Sequence, residues 1–353
     1  MKTVEREKYN IIYTEPEIYV DNESRGRSGH MSHAMVEFAP NHIIDFNSNC
    51  SPVRCDGHSA FGWIEYRISK DGGETFGEIS ELPYSKEAFL DGVFTVSVEK
   101  AVGCNDGRIV AFCTRNSQFK EICCEPWLTP MVVISNDGGK TWMQPTECSP
   151  FRGRVYDAIY RDGVIYMLQF CNDAEIDWCG NLPEHQYRLF ASYNNGESFE
   201  EVCIVPIENI GRAYGSLLFD NDGKLHAYAY NVNCEQEMEH VVSPDYGKTW
   251  EQVGTCHLNM GIRNPQTAIM DNLFILHGRG DNGKGFVLYT SEDGHNWDEG
   301  FYISTKKAPC HYSNNIVLKN AKGENRLLIQ YSDTYRKGCV NVRHMWLQIV
   351  KKK

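Results

Sequence analysis

Short apolar segments recur at six places along the chain, and each is followed by a polar turn and a second apolar segment. The first segments of these pairs span residues 34–38, 94–98, 155–159, 216–219, 266–270 and 315–318. The turns include Asn-Asp-Gly at 105–107 and again at 221–223, a sequence that favours the tight turn of a β-hairpin. Helical periodicity is nearly absent, so the pattern predicts an all-β protein of six hairpin-based units with little helix.

A second repeat coincides with these units. Ser69, Asp71 and Gly73 are followed by Thr75 and Phe76, and the same order of residue types returns four times. The later copies begin at Ser135, Ser192, Ser243 and Ser291, so successive copies start 66, 57, 51 and 48 residues apart. The third copy is weakened and the last is one residue short. A period of this length is typical of a four-stranded propeller blade with its loops.

The repeated pattern, S-x-D-x-G-x-T-W, is the Asp box. Its Ser and Asp side chains bond nearby backbone amides in a tight turn, its Gly supplies a positive φ, and its aromatic residue anchors the turn. These roles are structural, and we expect no catalytic role for the boxes. Five copies in six units make the whole chain resemble the sialidase superfamily. The resemblance implies a six-bladed β-propeller with four antiparallel strands per blade.

The sixth unit, from about residue 301, has no Asp box and is one strand short. Its predicted strands lie at 315–318, 326–331 and 341–350. An early strand, either 10–14 or 18–20, would complete this blade and remove an open sheet edge. We therefore predict a single propeller domain over residues 1–353, with an N-terminal strand closing the last blade.

Composition narrows the classes of function. The formal net charge of −12 disfavours nucleic acid and anionic lipid as partners, and no apolar run is long enough to span a membrane. The first residues are charged and lack the apolar core of a secretory signal, so we expect a cytoplasmic protein. The 14 cysteines are then expected to be reduced thiols, and their spacing predicts no zinc site. We expect no cofactor and no metal.

The innermost strands of a propeller begin at one mouth of its central channel, so residues far apart in sequence converge there. Arginines are frequent at these positions in an otherwise acidic chain: Arg154, Arg212, Arg263 and Arg279, with Arg115 close by. Gathered cations repel one another unless carboxylates or an anionic ligand share their pocket. This predicts a pocket for the carboxylate or sulfate of a sugar. The alternative is that these arginines form structural ion pairs with acidic residues such as Asp91, Asp157 and Asp333.

Members of the sialidase superfamily use an Asp as general acid/base, a Tyr nucleophile activated by a Glu, and three arginines that bind the substrate carboxylate. The resemblance assigns the Asp to Asp56, which lies 13 residues before the first Asp box. It assigns the Tyr to Tyr312, in the Tyr-Ser context that opens the last blade, and the third arginine to Arg279, shortly before the fifth box.

Three parts of the family pattern are missing. The stretch 30–33, which begins with His30, stands where the first arginine is expected. The segment around Tyr214 stands where the activating Glu is expected, and 230–231 where the second arginine is expected. A tyrosine hydroxyl has a pKa of about 10, so it is a poor nucleophile without a base or nearby cations. These gaps disfavour sialic acid bound in the pose that is usual for the family. A different acidic sugar is therefore the better prediction for the ligand.

Other residues keep two interpretations. His30, His33 and His58 could hold a metal or act as acid and base, but residues i and i+3 of a strand face opposite sides, which disfavours joint ligation. Asp157 could be the second carboxylate that an inverting glycosidase needs, or a structural partner of an arginine. Tyr214 could stack on a sugar ring or belong to the core.

The function predicted from these residues is that of a sialidase-like glycoside hydrolase acting on an acidic sugar in small glycans. Asp56 would be the general acid/base, Tyr312 the nucleophile or a stabilising group, and the arginines would orient the anion. Two alternatives remain. One is a non-catalytic carbohydrate-binding propeller, and the other is a polysaccharide lyase that uses Tyr312 or a histidine as its base.

Overall fold

The computed structural model describes residues 1–30, 33–118, 125, 128–307 and 311–352, and its strands form six antiparallel sheets. The first strand of each sheet contacts the first strands of both neighbouring sheets, and this ring closes between the sixth sheet and the first. The chain is therefore a six-bladed β-propeller, as the repeat predicted.

The chain begins with three short strands, which are Lys2–Glu5 (β1), Tyr9–Tyr13 (β2) and Glu17–Val20 (β3). Blade one contains Met35–Ala39 (β4), His42–Cys50 (β5), Gly62–Ser69 (β6) and Ser80–Glu81 (β7). Blade two contains Phe94–Gly103 (β8), Ile109–Ser117 (β9), Met131–Ser135 (β10) and Thr146–Glu147 (β11). Blade three contains Gly153–Arg161 (β12), Val164–Cys171 (β13), Gln186–Ser192 (β14) and Glu200–Ile204 (β15).

The second half of the ring repeats this arrangement. Blade four contains Arg212–Phe219 (β16), Leu225–Asn231 (β17), Glu237–Ser243 (β18) and Glu251–His257 (β19). Blade five contains Arg263–Met270 (β20), Leu273–Arg279 (β21), Phe286–Ser291 (β22) and Phe301–Ser304 (β23). Blade six contains Ser313–Lys319 (β24), Asn325–Arg336 (β25) and Cys339–Lys351 (β26).

Blade six is completed by the start of the chain. Its strands are ordered β24-β25-β26-β2-β1, and β3 also pairs with β26. β2 pairs with the end of β26 near Lys351, whereas β3 pairs with its middle near Val342. The two early segments considered from the sequence thus lie one after the other along the same edge of β26, which they cover.

The Asp boxes form the hairpins between the third and fourth strands of blades one to five. In the fourth box, the amide of Gly247 donates to Ser243 Oγ at 2.7 Å, and that of Thr249 donates to Asp245 Oδ1 at 2.7 Å. These bonds lower the pKa of Asp245, since they favour its charged form. The side chain serves the turn, in agreement with a structural role.

Each box also contacts the preceding blade. Tyr66 Oη in blade one donates to the carbonyl of Gly139 in the second box at 2.7 Å. Tyr228 Oη in blade four makes the same bond to Gly294 in the fifth box, at 2.8 Å. Both tyrosines are buried between blades. The boxes therefore join neighbouring blades as well as shaping their own hairpins.

One α-helix occurs in the described part of the chain, Pro83–Asp91 (α1). It begins with Pro83, whose missing amide is not needed in a first turn, and ends at Gly92 with φ 76°. Ser85 Oγ accepts the amide of Ile64 at 2.7 Å and so fastens the helix to blade one. Among the described residues, no helix is long and apolar enough to cross a membrane.

The eleven cysteines that the structure describes are all free thiols; seven of them are buried, five of these in strands, and the other four are partly exposed. This matches the expectation of reduced thiols for the described part of the chain. The pair at 123–124 lies outside the described residues.

Candidate functional site at the channel mouth

Four successive blades share an irregularity in their first strand. In each of these blades the register between the first two strands shifts, which leaves a bulge without a partner residue on the second strand. The bulged residues are Glu99 in blade two, Tyr156 in blade three, Tyr214 in blade four and 264–265 in blade five. A bulge of this kind redirects a side chain that regular alternation would place elsewhere. All four bulges and Tyr312 of blade six border one cavity. Its volume of about 30 Å³ leaves room for little more than a water molecule.

Three residues at this level have a left-handed backbone, with φ values of 41° at Tyr214, 55° at Asn264 and 79° at His311. Such a conformation costs on the order of 1–3 kcal/mol in a bulky residue and persists only where the surroundings enforce it. Strain of this kind tends to collect at functional sites. Its location at the starts of three inner strands singles out this end of the channel.

The centre of the site is a pair of tyrosines. Tyr214 Oη lies 3.1 Å from Tyr312 Oη, and the two rings are 5.7 Å apart. Tyr312 is positioned by its backbone, because its amide donates to Ser332 Oγ at 3.1 Å and its carbonyl accepts the amide of Ser332 at 2.9 Å. Burial raises the pKa of Tyr214 well above its usual value. Tyr214 thus stands in the segment where the family's activating Glu is missing, and it remains protonated.

Two histidines lie beside Tyr312. The rings of His30 and His58 are 3.7 Å apart, and that of His30 is 4.6 Å from the ring of Tyr312. Burial, followed by the charges of three arginines, lowers the pKa of His58 to about 4. Burial and then His58 lower the pKa of His30 well below its usual value. Both imidazoles are therefore neutral at pH 7 and able to accept a proton.

Arg154 is one of the three arginines near His58, and it lies between two carboxylates. Its guanidinium forms ion pairs with Glu99 and, at 3.2 Å, with Glu125, and it lies 5.8 Å from the ring of Tyr214. Its side chain is only 2% exposed. Burial raises the pKa of Glu125 although Arg154 opposes this shift. The positive charge of Arg154 is thus compensated within the protein.

Arg263 and Arg279 are the other two arginines, and they lie directly opposite each other on β20 and β21. Like charges facing across strands are unfavourable unless an anion shares their surroundings. The guanidinium of Arg263 lies 4.9 Å from the ring of Trp178 and 3.4 Å from Glu235. Arg279 is 6% exposed. This pair places two guanidinium groups on the blade-five side of the mouth.

Asp56 is not part of this cluster. It lies in the turn Arg54–Gly57 with φ 55°, its side chain is 66% exposed, and its carboxylate pairs with Lys337 at 2.7 Å. The hydrogen bond from Lys337 lowers the pKa of Asp56. In this arrangement the carboxylate points to solvent, whereas His58, two residues later, points into the mouth.

Asp157 lies deeper in the channel, where it holds the inner strands together. Its carboxylate accepts the amides of Ala158 and Leu217, both at 2.8 Å, and pairs with Lys100 at 3.1 Å. The structural interpretation of Asp157 is thus the better one, although its partner is a lysine. An arginine was expected as its partner because the sequence does not show the bulge that turns Lys100 into the channel.

Two of the expected arginines are directed elsewhere. Arg212 Nε pairs with Glu239 of its own blade at 3.1 Å. Arg115 donates to the carbonyl and to the hydroxyl of Thr129, both at 2.6 Å. Both arginines lie close in sequence to the channel mouth, but this does not place their side chains in the site, because neighbouring groups within the blade bind them.

The sequence analysis missed Glu99 and Lys100, although a signal for them exists. These adjacent charges interrupt the otherwise apolar strand Phe94–Gly103, and the bulge sends one to Arg154 and the other to Asp157. Glu125 lies between strands and had no such signal. His58 was considered only as a metal ligand or an acid/base, and the structure places it against His30.

The comparisons with known proteins rest on structure alone. No protein-family model matches the chain, and no curated protein sequence matches it. A protein of unknown function from Dyadobacter fermentans superimposes with a TM-score of 0.75 at 15% identity, covering 96% of this chain and 99% of that one.

Sialidases superimpose as well. The Hadza microbial sialidase Hz136 does so with a TM-score of 0.65 at 14% identity, covering 95% of this chain and 68% of that one. Trypanosoma rangeli sialidase, in complex with 2,3-difluorosialic acid, does so with a TM-score of 0.61 at 12% identity, covering 96% and 58%. This chain therefore spans little more than half the length of the trypanosomal enzyme. In its fold, the chain is a divergent sialidase-like six-bladed β-propeller.

Proposed function

We propose that the channel mouth binds an acidic sugar and cleaves its glycosidic bond, so that the protein is a sialidase-like glycoside hydrolase. The observation that carries this proposal is the contact of 3.1 Å between the hydroxyls of Tyr214 and Tyr312, beside neutral histidines and the positive pair Arg263 and Arg279. The sialidase-like fold supports the same class of reaction.

Tyr312 is the proposed nucleophile. The O–H of Tyr214 can donate to Tyr312 Oη, and Arg263 lies close enough to interact with Tyr312 electrostatically. A hydrogen bond and a cation that both favour negative charge on an oxygen make it a better nucleophile. Tyr214 would therefore stabilise negative charge on Tyr312 Oη but would not take its proton. Tyr312 Oη would attack the anomeric carbon and give its proton to the neutral imidazole of His30, whose ring lies 4.6 Å from that of Tyr312, while the glycosidic oxygen leaves with a proton from a general acid. Water would then attack the same carbon and give a proton to the carboxylate that acted as the acid, and His30 would return its proton to Tyr312 Oη as the sugar leaves.

Asp56 is the proposed general acid. Its partner Lys337 is 85% exposed, and ion pairs between exposed side chains contribute little to stability. A glycan entering the mouth can therefore draw Asp56 away from Lys337 without a large penalty. The two left-handed residues of its turn, Cys55 and Asp56, are the places where the backbone can readjust.

The proposed substrate is a sugar with a carboxylate or a sulfate group. The anion would lie between Arg263 and Arg279, which face each other on neighbouring strands and whose guanidinium groups can donate charge-assisted hydrogen bonds to it. Trp178 lies under the guanidinium of Arg263 and is only partly buried, so its ring offers flat apolar surface for a sugar ring. Sialylated, uronic-acid and sulfated glycans are the three classes to test.

A lyase is the second candidate, and the position of His58, whose ring lies 6.3 Å from that of Tyr312, favours it. A neutral imidazole can remove the proton next to a uronate carboxylate, which an arginine would neutralise. The electrons of the broken C–H bond would form a carbon–carbon double bond, and the glycosidic oxygen would leave with a proton from Tyr312. This route needs no carboxylic acid and so does not involve Asp56.

The test is incubation with a panel of the three glycan classes, followed by product analysis. Hydrolysis gives a new reducing sugar without ultraviolet absorption, whereas lysis adds an absorbing double bond. Under the main proposal, Asp56→Asn lowers turnover by about 10²–10⁴-fold. Asp162→Asn is the matched control, because Asp162 is also exposed and left-handed but lies in a blade-three hairpin turn. It should leave turnover unchanged.

Each other outcome contradicts the main proposal in a distinct way. Absorbing product, unaffected by Asp56→Asn and lost in His58→Gln, would establish the lyase. A glycan that raises the melting temperature without being cleaved would identify a carbohydrate-binding propeller. Absence of both binding and product across the panel would remove acidic sugars as ligands.

A further inference from the structure

A second group of chemically reactive side chains lies far from the channel mouth, in a groove between blades four and five. The groove encloses about 660 Å³ and is lined by His226, His240 and His295. His240 belongs to β18, and His295 belongs to the fifth Asp box. Cys256, on β19, lies beside His295, with 3.4 Å between Sγ and Nδ1.

Three donor atoms in this groove have the spacing of a metal site. His240 Nδ1 lies 3.2 Å from His295 Nδ1, and these atoms and Cys256 Sγ all lie within 4.8 Å of one another. In tetrahedral zinc sites the bonds are about 2.0–2.1 Å to nitrogen and about 2.3 Å to sulfur, which separates two nitrogens by about 3.3 Å and nitrogen from sulfur by about 3.6 Å. The observed distances, 3.2 Å between the two nitrogens and 3.4 Å between nitrogen and sulfur, are close to these separations.

A chain of hydrogen bonds orients His240 for this role. His240 Nε2 lies 2.9 Å from His226 Nδ1, and His226 Nε2 lies 3.3 Å from Asp220 Oδ2. If His226 Nε2–H donates to Asp220, its Nδ1 accepts a hydrogen bond from His240 Nε2–H, and the lone pair of His240 Nδ1 then points towards His295. Ligand histidines in metal sites are typically held by such a relay to a carboxylate.

The charge around the groove also favours a cation. Its lining includes five carboxylate residues, Asp220, Asp222, Glu251, Glu292 and Asp293. Lys224 is the one lysine or arginine among the lining residues that the structure describes. A groove lined mainly by negative charge raises the local concentration of cations.

The fifth Asp box differs from the others in a way that supplies the exposed ligand. Because this box is one residue short, the amide of Gly294 takes the bond to Ser291 Oγ, at 3.0 Å, and His295 follows directly. The other boxes carry Glu or Lys after their glycine, at Glu74, Lys140, Glu197 and Lys248. His295 is only partly buried, so the ion could be reached from the groove.

We propose that His240, Cys256 and His295 bind one zinc ion, with a fourth position that opens to the groove and holds water or a small ligand. Two ligands belong to blade four and one to blade five, so the ion fastens these blades together. Zinc suits the site because it accepts imidazole and thiolate ligands in a tetrahedron. This site is independent of the proposed reaction at the channel mouth.

The test is zinc binding to the untagged, reduced full-length chain, measured by equilibrium dialysis with metal analysis and by titration calorimetry. We expect one zinc per chain with a Kd below about 1 µM. His295→Ala should weaken binding by more than about 100-fold, since loss of a ligand exceeds the 10–100-fold effect of losing an outer partner. His295 is partly exposed, so this variant should still fold. His257→Ala, which removes an exposed histidine next to Cys256, is the control and should bind zinc normally.

Cobalt provides a second readout that identifies the sulfur ligand. Co²⁺ bound to the wild-type chain should show the intense visible bands of tetrahedral coordination and an ultraviolet thiolate charge-transfer band. Cys256→Ser should lose the charge-transfer band, whereas Cys203→Ser, on the neighbouring blade, should keep it. Absence of one-to-one zinc binding in the wild type, or zinc binding unchanged in His295→Ala, would overturn the proposal. So would a charge-transfer band that survives Cys256→Ser.

Discussion

Tyr214 of blade four and Tyr312 of blade six bring their hydroxyls to 3.1 Å across the channel, although they lie 98 residues apart in the chain. Tyr214 reaches this position because the first strand of its blade bulges there and its backbone is left-handed, with φ 41°. A phenol thus stands at the strand start where the family pattern has a Glu that this chain lacks. The chemistry proposed for the mouth depends on this pair.

Removing one hydroxyl of the pair tests that dependence. We expect Tyr214→Phe to lower turnover of the acidic glycan by about 10–100-fold, the effect of losing a hydrogen bond to a charged oxygen. Tyr312→Phe should abolish measurable turnover. Steady-state kinetics on the cleaved glycan measure both effects. Tyr193→Phe, at an exposed tyrosine of blade three, is the control. Equal activity of Tyr214→Phe and the wild type would exclude a role for the pair in catalysis.

The ion pairs of Arg154 should dominate the stability of the site. Arg154→Met leaves Glu99 and Glu125 without their buried cation, and breaking a buried pair costs about 3–5 kcal/mol. Denaturant unfolding measures the loss. Adding Glu99→Gln and Glu125→Gln to Arg154→Met should recover part of it, because no uncompensated charge then remains buried.

A surface pair provides the comparison for Arg154. Arg108 pairs with Glu197 at 2.7 Å, but both side chains are partly exposed. Arg108→Met should therefore lower the free energy of unfolding by less than about 1 kcal/mol. Similar losses in Arg154→Met and Arg108→Met would show that the Arg154 cluster is solvated and contributes little.

Buried histidines should make the protein less stable in mild acid. Burial lowers the pKa of His33 to about 4, and the pKa values of His58 and His311 fall to about 4 as well. In the unfolded chain these groups take up protons near pH 6.5, about two pH units before the folded protein does. The free energy of unfolding should thus be highest above about pH 6.5 and fall until about pH 4.

The contribution of one histidine can be isolated. His33 is fully buried and should account for about 3 kcal/mol of the loss between these pH values. Unfolding titrations of His33→Gln should show a shallower pH dependence over this window than the wild type. His42→Gln removes a histidine at the start of β5 and serves as the control. An identical slope in His33→Gln and the wild type would contradict the assignment.

The contribution of the contact between an Asp box and the preceding blade to the free energy of unfolding can be measured by replacing two glycines with alanine. A Cβ at Gly196 of the third box would lie 2.8 and 2.9 Å from the methyl carbons of the buried, branched Val110, and its φ is +92°. Gly163 has φ +86° and open space around it. We expect Gly163→Ala to cost about 1–2 kcal/mol from the backbone alone. Gly196→Ala should cost about 1–3 kcal/mol more, because the blade contact is overpacked. Equal costs would show that Val110 moves aside.

The fold was predictable because its signals are local. Turn residues such as Gly107 and Gly223 and the Asp boxes mark hairpins within a few residues, and their repetition gives the number of blades. The helix Pro83–Asp91 was missed because it is short and its apolar face is weak. The six strand starts were also located to within a few residues, since alternating apolar segments show where each inner strand lies.

The chemistry of the site depended on features that the sequence does not mark. A bulge exists only relative to the partner strand, so nothing in the local sequence shows that Glu99 and Tyr214 turn towards the channel. Asp56 matched its motif by spacing, yet a left-handed turn and Lys337 direct its carboxylate to solvent.

The sequence by itself determined the architecture of this protein, the six blades and the end of the channel at which polar residues gather, because turns and strand periodicity are properties of neighbouring residues. Only the tertiary structure decided which side chains meet, as Tyr214 meets Tyr312 and His240 meets Cys256 and His295. Contacts between distant residues depend on register, bulges and side-chain direction, and these are settled when the blades pack against one another.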